Sequence, residues 1–265
     1  MIPRALTIAG SASQGSAGIQ ADLKTFQERD VYGMSAITAI VANNSITEQG
    51  IFTHPLESIE AQVYASLEHV GVDAVKTGML FTMEIIKRVT AMLKEAEVEK
   101  LVVDPVMIGK MGSQLLRDEA IESMREDLIP LATIITPNLM EASRILELDD
   151  ILTVDGMKWA AEQLHKLGPS YVLVKGGALE EDAVDVLYDG ETFTEFKADR
   201  IDTIHTSGAG CTYAAAITAE LAKGKSVEES VAIGKDFVTA AIKHAVSFER
   251  GIGSTYQAAY RKNKE

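Results

Sequence analysis

"AVKTGMLFTMEIIKRVTAMLKEAEVEKLVVDPV", Ala74–Val106, is the stretch that decides the fold. Two short runs, Ala74–Met79 and Leu101–Val106, flank a longer one, Thr82–Ala96, whose apolar residues recur at helical spacing. The short runs carry near-continuous Val, Leu and Ala content without alternation, as strands covered on both faces require. Strand, helix, strand in this order calls for a right-handed crossover between parallel neighbours.

The same rhythm extends in both directions. Ala5–Gly10, Ser35–Val41, Ala132–Pro137 and Tyr171–Gly176 read as further buried strands. Glu57–Val70 sets Ile59, Val63, Leu67 and Val70 on one helical face, and Val154–Leu167 has a similar stripe. Val184–Asp199 differs: two strand-like runs surround Asp189-Gly190, a hairpin signal, so an antiparallel edge is expected there. Two long helices follow, from Gly208 through about Leu221 and from Val227 to His244. The expected fold is α/β, one doubly wound domain over residues 1–265, with a mostly parallel sheet flanked by helices on both faces.

Composition narrows the function. The 265 residues are 46% apolar and 24% charged, as in a soluble protein with a substantial core. No apolar stretch is long enough to cross a bilayer, and the N-terminal run reads as a strand rather than a signal peptide. With 25 basic and 39 acidic residues the net charge is −14, which argues against broad nucleic-acid binding. A lone cysteine, Cys211, rules out an internal disulfide framework and favours a reducing cytoplasm. The five histidines show no metal-ligand spacing, and the ten methionines read mostly as core, although Met79 and Met107 follow strands and suit a flat ring pocket.

In such sheets ligands bind beyond the carboxyl ends of the strands, and the unusual residues fall there. "TSGAGCT", Thr206–Thr212, opens an alanine-rich helix with Gly208, Ala209 and Gly210, whose N–H groups and helix dipole can form an anion hole. Cys211 then sits in the first turn, where a thiol pKa is expected to be lowered; a small buried core thiol is the plainer alternative. Asn138 and Glu141, three apart after a strand, suit water-mediated Mg²⁺ binding or, equally, a helix-capping box. Asp104 ends a strand, and Gly109, Lys110 and Gly112 after it suggest a mobile lid with a cation over phosphate. Lys175 stands at a strand end beside two glycines, suited to phosphate or simply solvated before a turn. Asp22 follows the small-residue loop Gly10–Gly18, either a ligand contact or a first-turn acid favourable to the helix dipole. Together these supply the parts of phosphoryl transfer: anion hole, base, metal carboxylate and cations.

Thr7–Phe26, "KTGML" (Lys76–Leu80), "DPVM" (Asp104–Met107), "TPNLMEA" (Thr136–Ala142), "VKGG" (Val174–Gly177) and "SGAGCT" (Ser207–Thr212) occur in order along nearly the whole chain. In them the sequence resembles the hydroxymethylpyrimidine and phosphomethylpyrimidine kinases of thiamine synthesis, a ribokinase-like family with close relatives that phosphorylate pyridoxal. The resemblance implies ATP and Mg²⁺ as cofactors, with the nucleotide across the carboxyl edge of the sheet. It implies Cys211 facing the substrate hydroxymethyl group, where many ribokinase-like sugar kinases carry an Asp base. It places Asp22, Asn43, Met79 and Val106 around the substrate ring and gives Glu141, with Asp104 and Asn138, to Mg²⁺. Lys175 and Asp185 would lie near the nucleotide, and Lys110 in a closing loop. Edge-paired homodimers are the expected assembly. Departures bear on the substrate: Ala12 stands where the family commonly has Asp, Asn43 where the pyrimidine kinases usually have Gln, and Ser207 where His often precedes the motif. Gly109 stands where pyridoxal-active relatives can carry a second cysteine. The alternatives are a pyridoxal, pyridoxine or pyridoxamine kinase, and a non-catalytic binding protein on the same fold.

Overall fold

The computed structural model describes residues 1–109, 112, 114–179 and 183–262. In chain order, β1 (Arg4–Ala12), α1 (Ile19–Glu28), β2 (Tyr32–Val41), β3 (Ile51–Thr53), α2 (Leu56–His69), β4 (Ala74–Thr77), α3 (Met83–Glu95) and β5 (Leu101–Val103) come first. The short α4 (Ile121–Ser123) lies within a run of mixed helical turns from Asp118 to Leu131. Then follow β6 (Ile134–Ile135), α5 (Leu139–Leu146), α6 (Val154–His165), β7 (Tyr171–Lys175), β8 (Ala183–Tyr188), β9 (Phe193–Ala198), α7 (Ala209–Ala222), α8 (Val227–Lys243) and α9 (Ala259–Lys262).

Among the described residues nine strands form one sheet in the order β3-β2-β1-β4-β5-β6-β7-β8-β9. The six strands from β2 to β7 are parallel, as expected. The hairpin β8–β9 turns at Asp189, whose Oδ1 accepts from the N–H groups of Glu191 and Thr192. A second antiparallel edge, β3 on β2, was not expected, because three residues with Phe52 exposed carry no strand pattern. From β1 the chain builds outward to β2 and β3, then crosses back to β4 and builds the other way. The direction reverses between β1 and β4, and open α/β sheets place their ligand crevice beyond the carboxyl ends at such a point.

Alternation within each strand sorts side chains between two cores. Leu6, Ile8, Val75, Val103, Ile135, Val172 and Val174 face α2, α3, α5 and α6. Ala5, Ala74, Val102, Ile134 and Leu173 face α1, α7 and α8. The second face is occupied near the carboxyl ends by polar side chains, and there the site forms. The two helices over it are pinned by Arg29 of α1, which pairs at 2.6 Å with the fully buried Glu220 of α7. The guanidinium also lies 5.8 Å from the Phe237 ring and 5.2 Å from the Tyr260 ring. Removing one partner of such a buried pair typically costs about 3–5 kcal/mol, so the pin fixes α1 against α7.

Candidate active site

The first turn of α7 is built by close approach of three segments. Gly208, its N-cap, has φ 81°, a left-handed conformation, and a Cβ there would collide with the carbonyl oxygen of Ser16. Ser207 Oγ donates to Ser16 Oγ at 3.0 Å, which holds the loop after β1 against the helix start. From the other side the C-terminal segment contributes Thr255, whose N–H and hydroxyl both donate to the Ser207 carbonyl. Gln257 Nε2 donates to Thr212 Oγ1 at 3.0 Å. No backbone carbonyl of the described residues accepts from the N–H groups of Gly210 or Cys211, so both remain available to an anion.

Cys211 is half-buried, and its Sγ accepts from the Gly18 N–H, the N-cap of α1, at 3.4 Å. Burial pushes the thiol up to about 11; Lys76 opposes this, and Asp22 and Asp104 add to it. The expected lowering is therefore reversed. The helix terminus acts on a thiol withdrawn from water among carboxylates, and desolvation outweighs the dipole.

Beneath this turn lies an alternating row of charges. Asp22, fully buried on α1, accepts from Thr7 Oγ1 at 2.6 Å and pairs with Lys76 Nζ at 3.1 Å. Lys76 Nζ lies 4.0 Å from Asp104 Oδ2, and Asp104 Oδ1 pairs with Lys175 Nζ at 3.1 Å. Burial raises the Asp22 pKa against the pull of Lys76, whereas at Asp104 the two lysines outweigh burial and hold the carboxyl low. Burial works against the charge of Lys76, but Asp22, Cys211 and Asp104 together more than offset it and the ammonium is held charged. A Cβ on Gly210 would stand 3.3 Å from Lys175 Nζ, which places this cation directly under the helix start.

Lys76 is the residue that reading for apolar content passed over. Its signal was present: a lysine in the middle of a strand whose four residues are all buried. A buried ammonium requires a carboxylate partner, and the same face supplies two.

Asn138 and Glu141 form the capping box, with Asn138 Oδ1 accepting from the Glu141 N–H and Glu141 Oε2 from the Asn138 N–H, both at 2.9 Å. Burial raises Glu141 to about 7; Lys175 opposes it and Asp104 reinforces it. The cap thus aims a buried carboxyl at the Asp104–Lys175 end of the row. Asn138 serves the cap, and Glu141 and Asp104 remain as oxygen donors. Among the described residues no three His, Cys, Asp or Glu side chains cluster as a metal cage.

The remaining expected residues are dispersed. Met79 is buried against Gly10, and its carbonyl accepts from Thr38 Oγ1 at 2.7 Å. Val106 is half-buried in a turn whose N–H bonds back to Asp104. Asn43 is exposed beyond β2, its amide against Gly50. Asp185 is buried and committed: Oδ1 accepts from the Gly176 N–H at 2.9 Å and Oδ2 from Lys235 Nζ at 2.7 Å. It braces the loop after Lys175 rather than presenting a free carboxylate. Lys110 lies outside the described residues.

The profile of the phosphomethylpyrimidine kinase family matches residues 12–256. The chain belongs to that family. It is 49% identical to the pyridoxine kinase of Bacillus subtilis, covering 99% of this chain and 98% of that protein. It is 44% identical to the hydroxymethylpyrimidine/phosphomethylpyrimidine kinase of the same organism, covering 99% and 97%. The pyridoxal kinase from Staphylococcus aureus in complex with AMP-PCP and pyridoxal superposes with a TM-score of 0.92 at 41% identity, over 99% of this chain and 96% of that one. Membership and fold agree with the ribokinase-like reading, and the chain is an ATP-dependent small-molecule kinase. No helix of the described residues is long and apolar enough to cross a membrane.

Proposed function

We propose that this kinase phosphorylates the hydroxymethyl group of 4-amino-5-hydroxymethyl-2-methylpyrimidine and then its monophosphate, with ATP as donor. The observation that carries the reading is the first turn of α7, where open N–H groups, the Cys211 thiol and Lys175 converge within a family of phosphomethylpyrimidine kinases. The N–H groups of Gly210 and Cys211 receive the transferring phosphoryl oxygens, and the left-handed Gly208 cap keeps them aimed there. Lys175 meets phosphate charge from below. Cys211 faces the substrate hydroxyl and, in its thiolate form, takes the hydroxyl proton as transfer proceeds; the Gly18 N–H holds the sulfur in place. Asp22, beneath the thiol, acts on the ring through the field of its carboxylate, and Met79 and Val106 supply apolar wall. Asn43 borders the ring from the loop after β2. Asp185 acts on the nucleotide through the Gly176 loop.

The donor set fits Mg²⁺. Asp104 Oδ2 is buried with no hydrogen-bond partner, and Glu141 is a carboxyl that burial, reinforced by Asp104, raises to about 7. Glu141 and Asp104 would hold the ion, Asn138 fixing Glu141 through the cap. Mg²⁺ supplies charge neutralisation at the nucleotide phosphates. The reading includes a single domain, a cytoplasmic location and a homodimer.

A second reading, a pyridoxine or pyridoxal kinase of vitamin B6 salvage, is favoured by the 49% identity to a pyridoxine kinase against 44% to the pyrimidine enzyme. Steady-state ATP turnover on the pyrimidine alcohol, its monophosphate and pyridoxal, run side by side, separates the two. Turnover of both pyrimidines sustains the first, pyridoxal alone sustains the second, and no turnover with any of them refutes both.

A further inference from the structure

Asp22, Lys76, Asp104 and Lys175 alternate in sign, and their links are unequal: 3.1, 4.0 and 3.1 Å. The row runs from α1, whose N-cap N–H bonds the Cys211 sulfur, to the cation beneath Gly210. The long middle link is informative. The Asp104 oxygen facing Lys76 across 4.0 Å is Oδ2, a buried atom without a hydrogen-bond partner, and Asp22 Oδ1 at the other end is a second. Leaving a buried carboxylate oxygen unmet is costly, so a rearrangement that satisfies one of them is close in energy to the observed pairing. Among the described residues, Lys76, with no exposed surface, forms ion pairs with these two carboxylates only. Lys175 is the member with some exposure, 12% of its side chain, and can turn toward a ligand.

We propose that Lys76 is a positioning residue that couples the anion end of the site to the thiol end. An anion under Gly210 draws Lys175 from Asp104. Without Mg²⁺, Asp104 then has one cation left, and the 4.0 Å link shortens as Lys76 moves onto Oδ2. Asp22 loses its ammonium partner and keeps the Thr7 hydroxyl. Its carboxylate, now less neutralised, lies one turn along α1 from Gly18, since the Asp22 N–H bonds the Gly18 carbonyl. A ligand that brings a proton donor to the thiol end is thereby held more tightly. By linkage, that ligand tightens the anion in the same ratio.

The inference rests on the proposed reading in that its second ligand is a ring alcohol. The experiment, run without Mg²⁺ so that Asp104 Oδ2 is left to Lys76, measures dissociation constants calorimetrically for AMP-PCP alone, for pyridoxal and for the pyrimidine alcohol alone, and for each ring in saturating AMP-PCP. The native enzyme is expected to bind its ring roughly tenfold more tightly with AMP-PCP present, within the usual range of such couplings. In Lys76→Met the ratio is expected to fall to within about twofold of one. Because Lys76→Met strands two buried carboxylates, the double variant Asp22→Asn/Lys76→Met restores the charge balance, and it too is expected to show no coupling. A purely structural lysine would weaken both ligands and leave the ratio intact, and a retained ratio in either variant overturns the proposal. So does a native ratio near one. If neither ring binds the native protein, the substrate reading falls and the coupling falls with it; a ring that binds with an unaltered ratio removes only the coupling.

Discussion

Replacement of Cys211 by alanine tests the chemistry where it is most exposed to error. The thiol stands at about 11, so at neutral pH about one molecule in ten thousand carries a free thiolate. A mechanism that draws on this form predicts a transfer rate that rises tenfold per pH unit until the thiol titrates. Glu141, at about 7, adds its own step lower down, so the diagnostic window lies between about pH 8 and 9.5. The measurement is single-turnover phosphoryl transfer by rapid quench, because product release limits the steady state of many kinases and would hide the slope. In native enzyme the logarithm of the rate is expected to rise with unit slope across the window. In Cys211→Ala the slope disappears and the rate falls by about 10²–10⁴, the usual contribution of a positioned base, or about 3–5 kcal/mol of barrier. ATP affinity is expected to stay within about twofold, since the N–H groups of the turn belong to the backbone. A variant within about threefold of native would refute the role of the thiol altogether. A flat native profile alongside a crippled variant would leave the sulfur as an orienting contact rather than the acceptor of the proton.

Gly208→Ala forces a Cβ into the Ser16 carbonyl and a left-handed backbone; the conformation alone costs about 1–2 kcal/mol. Its turnover is expected to collapse while thermal unfolding shifts by only a few degrees, and full activity would show that the first turn is not the anion site. For Glu141 the folded state holds the proton more tightly than the unfolded chain, because burial lifts the carboxyl from 4.5 to about 7. Its stabilisation is complete at acid pH and is lost as pH rises through that interval, on the order of 3 kcal/mol. Glu141→Gln is expected to flatten this part of the urea-unfolding profile between about pH 5 and pH 7.5, and an unchanged slope would assign the titration elsewhere.

The central strands β1 and β4 to β7 were legible because they are buried on both faces and write their burial as nearly unbroken apolar runs. Helices such as α3 and α6 were legible through their stripes, with ends within about two residues of those observed. What escaped was short or irregular. The edge strand β3 has three residues and one exposed aromatic, and the turns from Asp118 to Leu131 mix three helical spacings, so no single period marks them. The site divides along a different line. That Asp104, Lys175 and Cys211 meet follows from topology, since parallel strands deliver their carboxyl ends to one edge. What each group does there depends on partners far along the chain. Asp185 is held by Lys235, fifty positions away, and the pairing removes it from the ligand surface. A helix terminus normally acidifies a thiol, but Cys211 keeps its proton chiefly because it is buried, and Asp22 and Asp104, arriving from α1 and from the end of β5, add to the effect. Local rules assume water on the far side of the group. In this site the far side is the carboxylate end of another element, and the sign of the effect follows the enclosure. The alternative readings of Asn138 and Glu141 dissolve for the same reason: the cap is a local device, and what it aims Glu141 at is set by the sheet.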